Sequence, residues 1–463
     1  MRQRFLLIIS IFQFLFQDTT EVQLRRKITQ GGVSLTRIQK YTSDTLPSLR
    51  NETDFSLGLD ILMMADYSTL QGFIEISGNN AAAGELYTQE YLRAIFEQVK
   101  TIYDGIEIMK QTIQLSLVGT FVAIREDDCP MLNSIENIED EVLSSNSTFD
   151  NSTIGVGDWY EEANNSTELT LSTPAVEALD KFTQWLASHE HVLPKHDHAI
   201  LITKFDLLSP RGDSATQGMS YVGNICKVGD SASIVEDIGA AATAIIAAHE
   251  LGHSLGAFHD GNPEAQDCPS SENFLMASTV SGSENFELFA HSRTMSPCSV
   301  KSIEKNLRTK SAQCVKKAAS GDRKLKKKSS TLDLMSRTSG EMIGLRQQCQ
   351  IAFGPHYGVC PNKEYFRGSD LCRRVWCKDR EQRRSEPCET KTYLPSLDGT
   401  ECGRTKWCMA GRCVDNPKAL QECVDINEKT CRKYSKVKLR HYCKAKDFKE
   451  ICCRSCAQLK DLH

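Results

Sequence analysis

Three things are scarce in this chain, and each scarcity excludes something. A large charge excess is missing: 55 basic and 60 acidic side chains in 463 residues leave a formal net charge of -5. A chain so near balance lacks the electrostatic footprint of a nucleic-acid binder. No apolar stretch beyond the N-terminal segment approaches the roughly 20 residues that cross a bilayer, so no transmembrane anchor is expected. Cysteine is absent before Cys129. Of the 19 in the chain, 14 lie at or after Cys349. Cysteine that dense points to disulfides formed in an oxidising compartment, gathered at one end.

What is present agrees with export. Arg2 and Arg4 precede an apolar run from Phe5 to Phe16, which reads as a secretory signal over residues 1–20. Asn51, Asn146, Asn151, Asn164 and Asn165 each open an N-x-[ST] acceptor, the mark of a glycoprotein. A secreted protein of the extracellular space or matrix is expected. Residues 21–55 are polar and read as a short leader or linker.

From Leu59 onward, apolar runs bounded by turn residues read as strands: LDILMMAD (59–66), IQLSLVGTFVAI (113–124), HAILITKFD (198–206) and MSYVGNICK (219–227). Helical spacing appears over 85–106 and 174–193, the latter with Thr173 as N-cap and Pro174 at the first helical position. Strands alternating with helices argue for an α/β layer over residues 56–318. Residues 126–170, acidic and holding four of the sequons, read as a glycosylated surface insertion. Residues 319–345, with the run Lys324–Lys328, read as a basic linker able to meet matrix glycans. Arg211-Gly212-Asp213 reads as a turn, and His189, His191, His196 and His198 as ordinary core or surface histidines without a ligand motif.

The densest chemistry is HELGHSLGAFHD (249–260). It follows an alanine-rich helical stretch. His249 and His253, four apart, project from one helix face. Two imidazoles and a third donor suit zinc with a position left for water. Glu250 lies beside them as general base. His259 is on the wrong face of a continuing helix, so Gly256 must end the helix and turn the chain back.

The extended pattern resembles the metzincin zinc endopeptidases, and Asp260 after the third histidine is similar to their adamalysin/reprolysin branch. The resemblance implies a metzincin α/β catalytic domain, a mixed sheet with a long active-site helix. It implies His249, His253 and His259 as zinc ligands, Glu250 as the catalytic residue and Met276 in the Met-turn. It also implies disulfides Cys226–Cys314 and Cys268–Cys298, and a structural calcium at Asp60, Asp197 and the backbone of Cys314. In the family the segment at GMSYVGNIC is the edge strand that pairs with extended substrate. Cys129 is left without a partner, and the stretch before residue 56 is short for the family's pro-domain.

Eight cysteines from Cys349 to Cys413 form an even set. FGPHYGVCP, LCRRVWC and DGTECGRTKWCMAGRCV resemble the disintegrin-like module of the ADAMTS proteases, placed at 346–416. In the family that module is an exosite for protein substrate. Six further cysteines, ending in ICCRSC, resemble the PLAC module over 420–458, with a toxin-like six-cysteine fold as rival. Both modules hold little apolar core and depend on crosslinks. No W-x-x-W thrombospondin repeat is found. The expectation is a secreted zinc metalloendopeptidase acting on extracellular matrix or cell-surface proteins. The alternative is a non-proteolytic adhesion protein acting through its cysteine-rich modules.

Overall fold

Apolar strands in the middle of a parallel sheet are buried on both faces and read as continuous hydrophobic runs. The segment FSLGLDILMMA does this here. In a computed structural model, residues 39–40, 55–131, 172–318 and 337–457 are described, with short gaps. The signal segment, most of the leader, all five sequon asparagines, Cys129 and the Lys324–Lys328 run lie outside the described residues.

In chain order the elements that matter are strands β1 (Gln39–Lys40) and β2 (Phe55–Ala65) and helices α1 (Tyr67–Ile76) and α2 (Ala81–Asp104). Then come β3 (Gln114–Val122), α3 (Ala175–His189), β4 (His198–Thr203), β5 (Gly218–Ser220) and β6 (Ala232–Glu236). Helices α4 (Ala240–Leu255) and α5 (Pro297–Leu307) and strand β7 (Lys316–Ala318) complete the unit. The sheet order is β1-β3-β2-β4-β6-β5, with β7 also paired to β2. The inner strands β3, β2, β4 and β6 run parallel, and β5 is antiparallel at the edge. The expected mixed α/β sheet with a long active-site helix is what the chain forms.

The two-residue period of β2 sorts its side chains. Ile61 and Met63 face the core under α2 and α4, whereas Leu62 and Met64 face α3. Burying each contributes roughly 1.5–3 kcal/mol. Every residue of α4 except Ile246 is buried, so the helix carrying the histidines runs through the interior. Tyr103 of α2 donates to the Ala248 carbonyl at 3.0 Å and braces it.

Three details differ from the sequence reading. Helix α3 starts at Ala175, and Pro174 stands at its N-cap without a side-chain bond. Residues Ser172–Pro174 pair instead with Asp206–Leu208, which holds Thr173 in a strand. The strand expected over 219–227 stops at Ser220. Beyond it the chain bends at Gly223 and Cys226, both at positive φ. It then hugs the end of α4, where Gly223 and Ile225 N–H groups bond the carbonyls of His253 and Ser254. The strand β6, between β4 and β5, was not recognised. Its run ASIVE is only five residues long, with two large apolar side chains.

The second module packs directly on this unit. Helix α6 (Ser339–Met342) follows, capped by Thr338 and Glu341, and then α7 (Leu345–Phe353). Met342 and Ile343 join the catalytic core, and Arg337 pairs with Glu90 of α2 at 2.8 Å. The linker expected over 319–345 therefore ends before Arg337. Within the module the eight cysteines close on themselves: 349–377, 360–388, 372–408 and 402–413. In the terminal segment Cys431 pairs with Cys452 and Cys443 with Cys456. The histidines near residue 190 form no ligand set. His189 stacks on Trp185, and His198 is a buried ring between the hydroxyls of Ser231 and Ser233.

Candidate active site

Helix α4 ends where the glycine requires it. Gly256 has φ of 113°, and its N–H bonds the carbonyls of Gly252 and His253. An added Cβ there would lie 2.7 Å from Asn306 Cβ, so space as well as φ selects glycine. The chain then reverses, and His259 returns to the helix. Its Nε2 lies 3.0 Å from Nε2 of His249 and 3.0 Å from Nε2 of His253. All three rings are buried.

Two of the rings are locked from behind. His249 Nδ1 is 2.6 Å from the Leu275 carbonyl, and His253 Nδ1 is 2.8 Å from the Ala257 carbonyl. A carbonyl only accepts, so each Nδ1 carries the proton and each Nε2 presents a lone pair. The lone pairs of His249 and His253 thus both face Nε2 of His259 at 3.0 Å, where one cation could be shared by all three rings. Burial also lowers the histidines' pKa values, His249 to about 4 and His259 to about 3, and that of His253 well below its usual range. Neutral buried imidazoles in this arrangement fit zinc. Among the described residues, the other cluster close enough to hold a metal is Cys372, Cys402 and Cys413. Those sulfurs are spent in disulfides.

Glu250, one residue from His249, is buried, and burial raises its carboxyl to about 8, opposed by a hydrogen bond from Ser220. Met276 lies under the ligand helix: a Cβ on Gly252 would be 2.6 Å from its sulfur. Asp260 fixes that turn. Its N–H donates to the Met276 carbonyl at 2.8 Å, and its carboxylate accepts from Ser296 and Ser299 at the start of α5.

A cleft of about 420 Å³ opens over the histidines. One side is Gln217 and Gly218 at the edge strand β5, and another is Ala277–Thr279 after the Met-turn. A further wall comes from the cysteine-rich module, through Lys391, Thr392 and Tyr393. Tyr393 OH is 2.9 Å from Ser292 Oγ, and Lys391 Nζ donates to the Ile238 carbonyl at 2.8 Å. Gly239, at the N-terminus of α4, lets the module approach: a Cβ there would meet Leu394 at 2.8 Å. Sequence reasoning missed this wall because nothing local links residues 391–393 to residue 249.

The disulfides Cys226–Cys314 and Cys268–Cys298 both form. At the position expected for calcium the structure brings in a different cation. Asp60 and Asp197 do come together, with Asp60 N–H on Asp197 Oδ2 at 2.8 Å. The charge between them is the ammonium of Lys317, 2.6 Å from Asp197 Oδ2 and 3.3 Å from Asp60 Oδ2. Cys314 leads into β7, which carries that lysine. An ammonium and a calcium ion cannot share the position, since like charges repel. Calcium is accordingly expected to leave the thermal midpoint unchanged in a titration at fixed zinc. Lys317→Ala should cost about 1 kcal/mol, given the pair's part exposure. A rise in the wild-type midpoint with calcium would refute the assignment.

Comparison with known proteins matches residues 131–318 to the reprolysin (M12B) family zinc metalloprotease and residues 339–414 to ADAMTS cysteine-rich domain 2. The latter covers the module read as disintegrin-like. The chain is 32 % identical over 250 residues to human "A disintegrin and metalloproteinase with thrombospondin motifs 16", covering 53 % of this chain and 18 % of that protein. It is 32 % identical over 254 residues to rat "A disintegrin and metalloproteinase with thrombospondin motifs 1", covering 53 % and 24 %. The chain thus spans about a fifth of the length of these relatives. Among the described residues no helix is long and apolar enough to cross a membrane.

Proposed function

We propose, from the premise that this chain is an ADAMTS-like metzincin, that it is a secreted zinc endopeptidase of extracellular matrix or cell-surface proteins. The observation that carries the reading is the convergence of three imidazoles, with Nε2 of His259 3.0 Å from Nε2 of both His249 and His253, beside the buried Glu250 side chain. His249, His253 and His259 would hold the metal. When bound, zinc supplies the Lewis acidity that activates a water and polarises a peptide carbonyl. Glu250 takes the proton from the attacking water and returns it to the departing amine. An extended substrate would add as a strand to the free edge of β5. It would then run between Ala277–Thr279 and the module wall at Lys391–Tyr393.

The domain limits of the sequence reading stand in the same proposal: a signal at 1–20, a protease unit to 318, a cysteine-rich module and a terminal six-cysteine module. Matrix glycans would meet the basic linker over 319–336. Residues 429–454 add exposed Lys433, Lys436, Lys438, Arg440 and Lys444 on the terminal module. An adhesion-only protein has no need of three imidazoles aimed at one point, and that disfavours the rival.

The purified chain should contain stoichiometric zinc and cut a peptide library. Cutting should stop with a chelator and return with added zinc. A folded preparation that binds no zinc and cuts nothing would sink the reading.

A further inference from the structure

Ser220 is the last residue of the edge strand β5 and is 4 % exposed. Its register partner is Ser233 of β6. Residues 218 and 220 share a face of this strand, the face turned to α4, while Met219 packs into the core beneath α3. Ser220 Oγ lies 2.8 Å from Oε2 of Glu250 and 2.8 Å from the Glu250 backbone carbonyl. Gly218, two residues earlier, leaves room for the same side chain: a Cβ there would be 2.7 Å from Glu250 Oε1 and 2.8 Å from Cγ. The edge strand therefore grips Glu250 by one oxygen and clears space for the other.

We propose that Ser220 is a positioning residue for the reaction: its hydroxyl holds Oε2 of Glu250, so that Oε1 is the oxygen that meets the attacking water. This rests on the endopeptidase reading above. A glutamate side chain has three rotatable bonds and, unrestrained, visits several rotamers. One hydrogen bond at the far oxygen removes most of that freedom, and the contact with the Glu250 backbone carbonyl fixes where the Ser220 hydroxyl sits. The hydroxyl has one proton and can also accept. While Glu250 is a carboxylate, Ser220 donates to Oε2. Once Oε1 has taken a proton from the water, Oε2 is left as a carbonyl-type oxygen that still accepts from Ser220. Ser220 keeps its own proton throughout. The proton in transit goes from water to Glu250 to the leaving amine.

The same strand is the one on which substrate would lie, so general base and substrate share one rigid support. A position fixed in this way affects the chemical step more than binding.

The test uses the full zinc-loaded chain and a fluorogenic peptide. Ser220→Ala should lower kcat by about 10- to 100-fold, the effect of losing a hydrogen bond to a charged group, with KM unchanged within about two-fold. Zinc content and thermal midpoint should match wild type. In the Glu250→Gln background, where no base remains to be positioned, Ser220→Ala should add no further loss. Ser220→Thr, which keeps the hydroxyl, should recover most of kcat if it retains zinc and the wild-type midpoint. Wild-type kcat in Ser220→Ala overturns the proposal, and so does an equal loss in both Glu250 backgrounds. A wild-type chain that binds zinc and cleaves nothing overturns the endopeptidase reading as well. A wild-type chain that cleaves beside an undiminished Ser220→Ala overturns the positioning role alone.

Discussion

Glu250→Ala is expected to lower kcat/KM by about 10³- to 10⁴-fold while stoichiometric zinc is retained. General acid–base groups contribute about that factor. The retained zinc follows from geometry: the three ligands are held through the Leu275 and Ala257 carbonyls and the Gly256 turn, none of which involves the Glu250 side chain. The zinc-free protein offers a second reading of the same residue. Burial raises the folded carboxyl from an ordinary 4.5 to about 8. Between those values the unfolded chain has released its proton and the folded chain has kept it. The zinc-free wild type should thus lose stability as pH rises from 4.5 toward 8, by roughly 1.4 kcal/mol per pH unit from this group. Glu250→Ala should lack that slope. Denaturant titrations at several pH values, compared between the two proteins, isolate the contribution. Parallel pH profiles would show that Glu250 is not protonated in the zinc-free fold.

Asp398→Ala is expected to destabilise the folded chain by about 3–5 kcal/mol. Asp398 belongs to the cysteine-rich module and is 2 % exposed. Its carboxylate pairs with Arg293, accepts from Gln98 of α2 at 3.0 Å and accepts the Ala410 N–H at 2.8 Å. Its own N–H donates to Gln98 Oε1 at 2.8 Å. Removing it strands a buried guanidinium, since the Arg293 side chain is 7 % exposed. The loss also loosens the contact that presents Lys391–Tyr393 to the cleft. Two measurements check this: the denaturation midpoint, and kcat/KM on a peptide long enough to reach the module wall. Asp398→Asn, which keeps polar contacts without the charge, should fall between. A wild-type midpoint in Asp398→Ala would mean that the other contacts between the modules, such as Arg337–Glu90, Lys391 on the Ile238 carbonyl and Phe289 against Gly411, hold them together without this cluster.

The two residues differ in how far they could be read from the linear chain. Glu250 sits inside a twelve-residue pattern whose spacing converts directly into geometry. A four-residue step stacks His249 on His253, and Gly256 accounts for His259. Asp398 sits in LPSLDGT, where an aspartate before glycine reads as a turn. Its partners are Gln98 and Arg293, some 300 and 105 positions away, and no local signal names them. Asp60 and Asp197 show a third case. Their proximity was implied by resemblance, but the lysine between them arrives on β7, and a family pattern does not say which cation this chain uses.

Local spacing and hydrophobic period determined the ligand helix, its glycine stop and most strands, because helix and strand geometry act over a few residues. The anchoring carbonyls of Leu275 and Ala257, the Ser220 hydroxyl on Glu250, the Lys317 clamp and the module wall of the cleft were decided by tertiary structure alone. Each depends on packing between segments distant in sequence, where shape and burial select the contact and nothing in the adjoining residues encodes it.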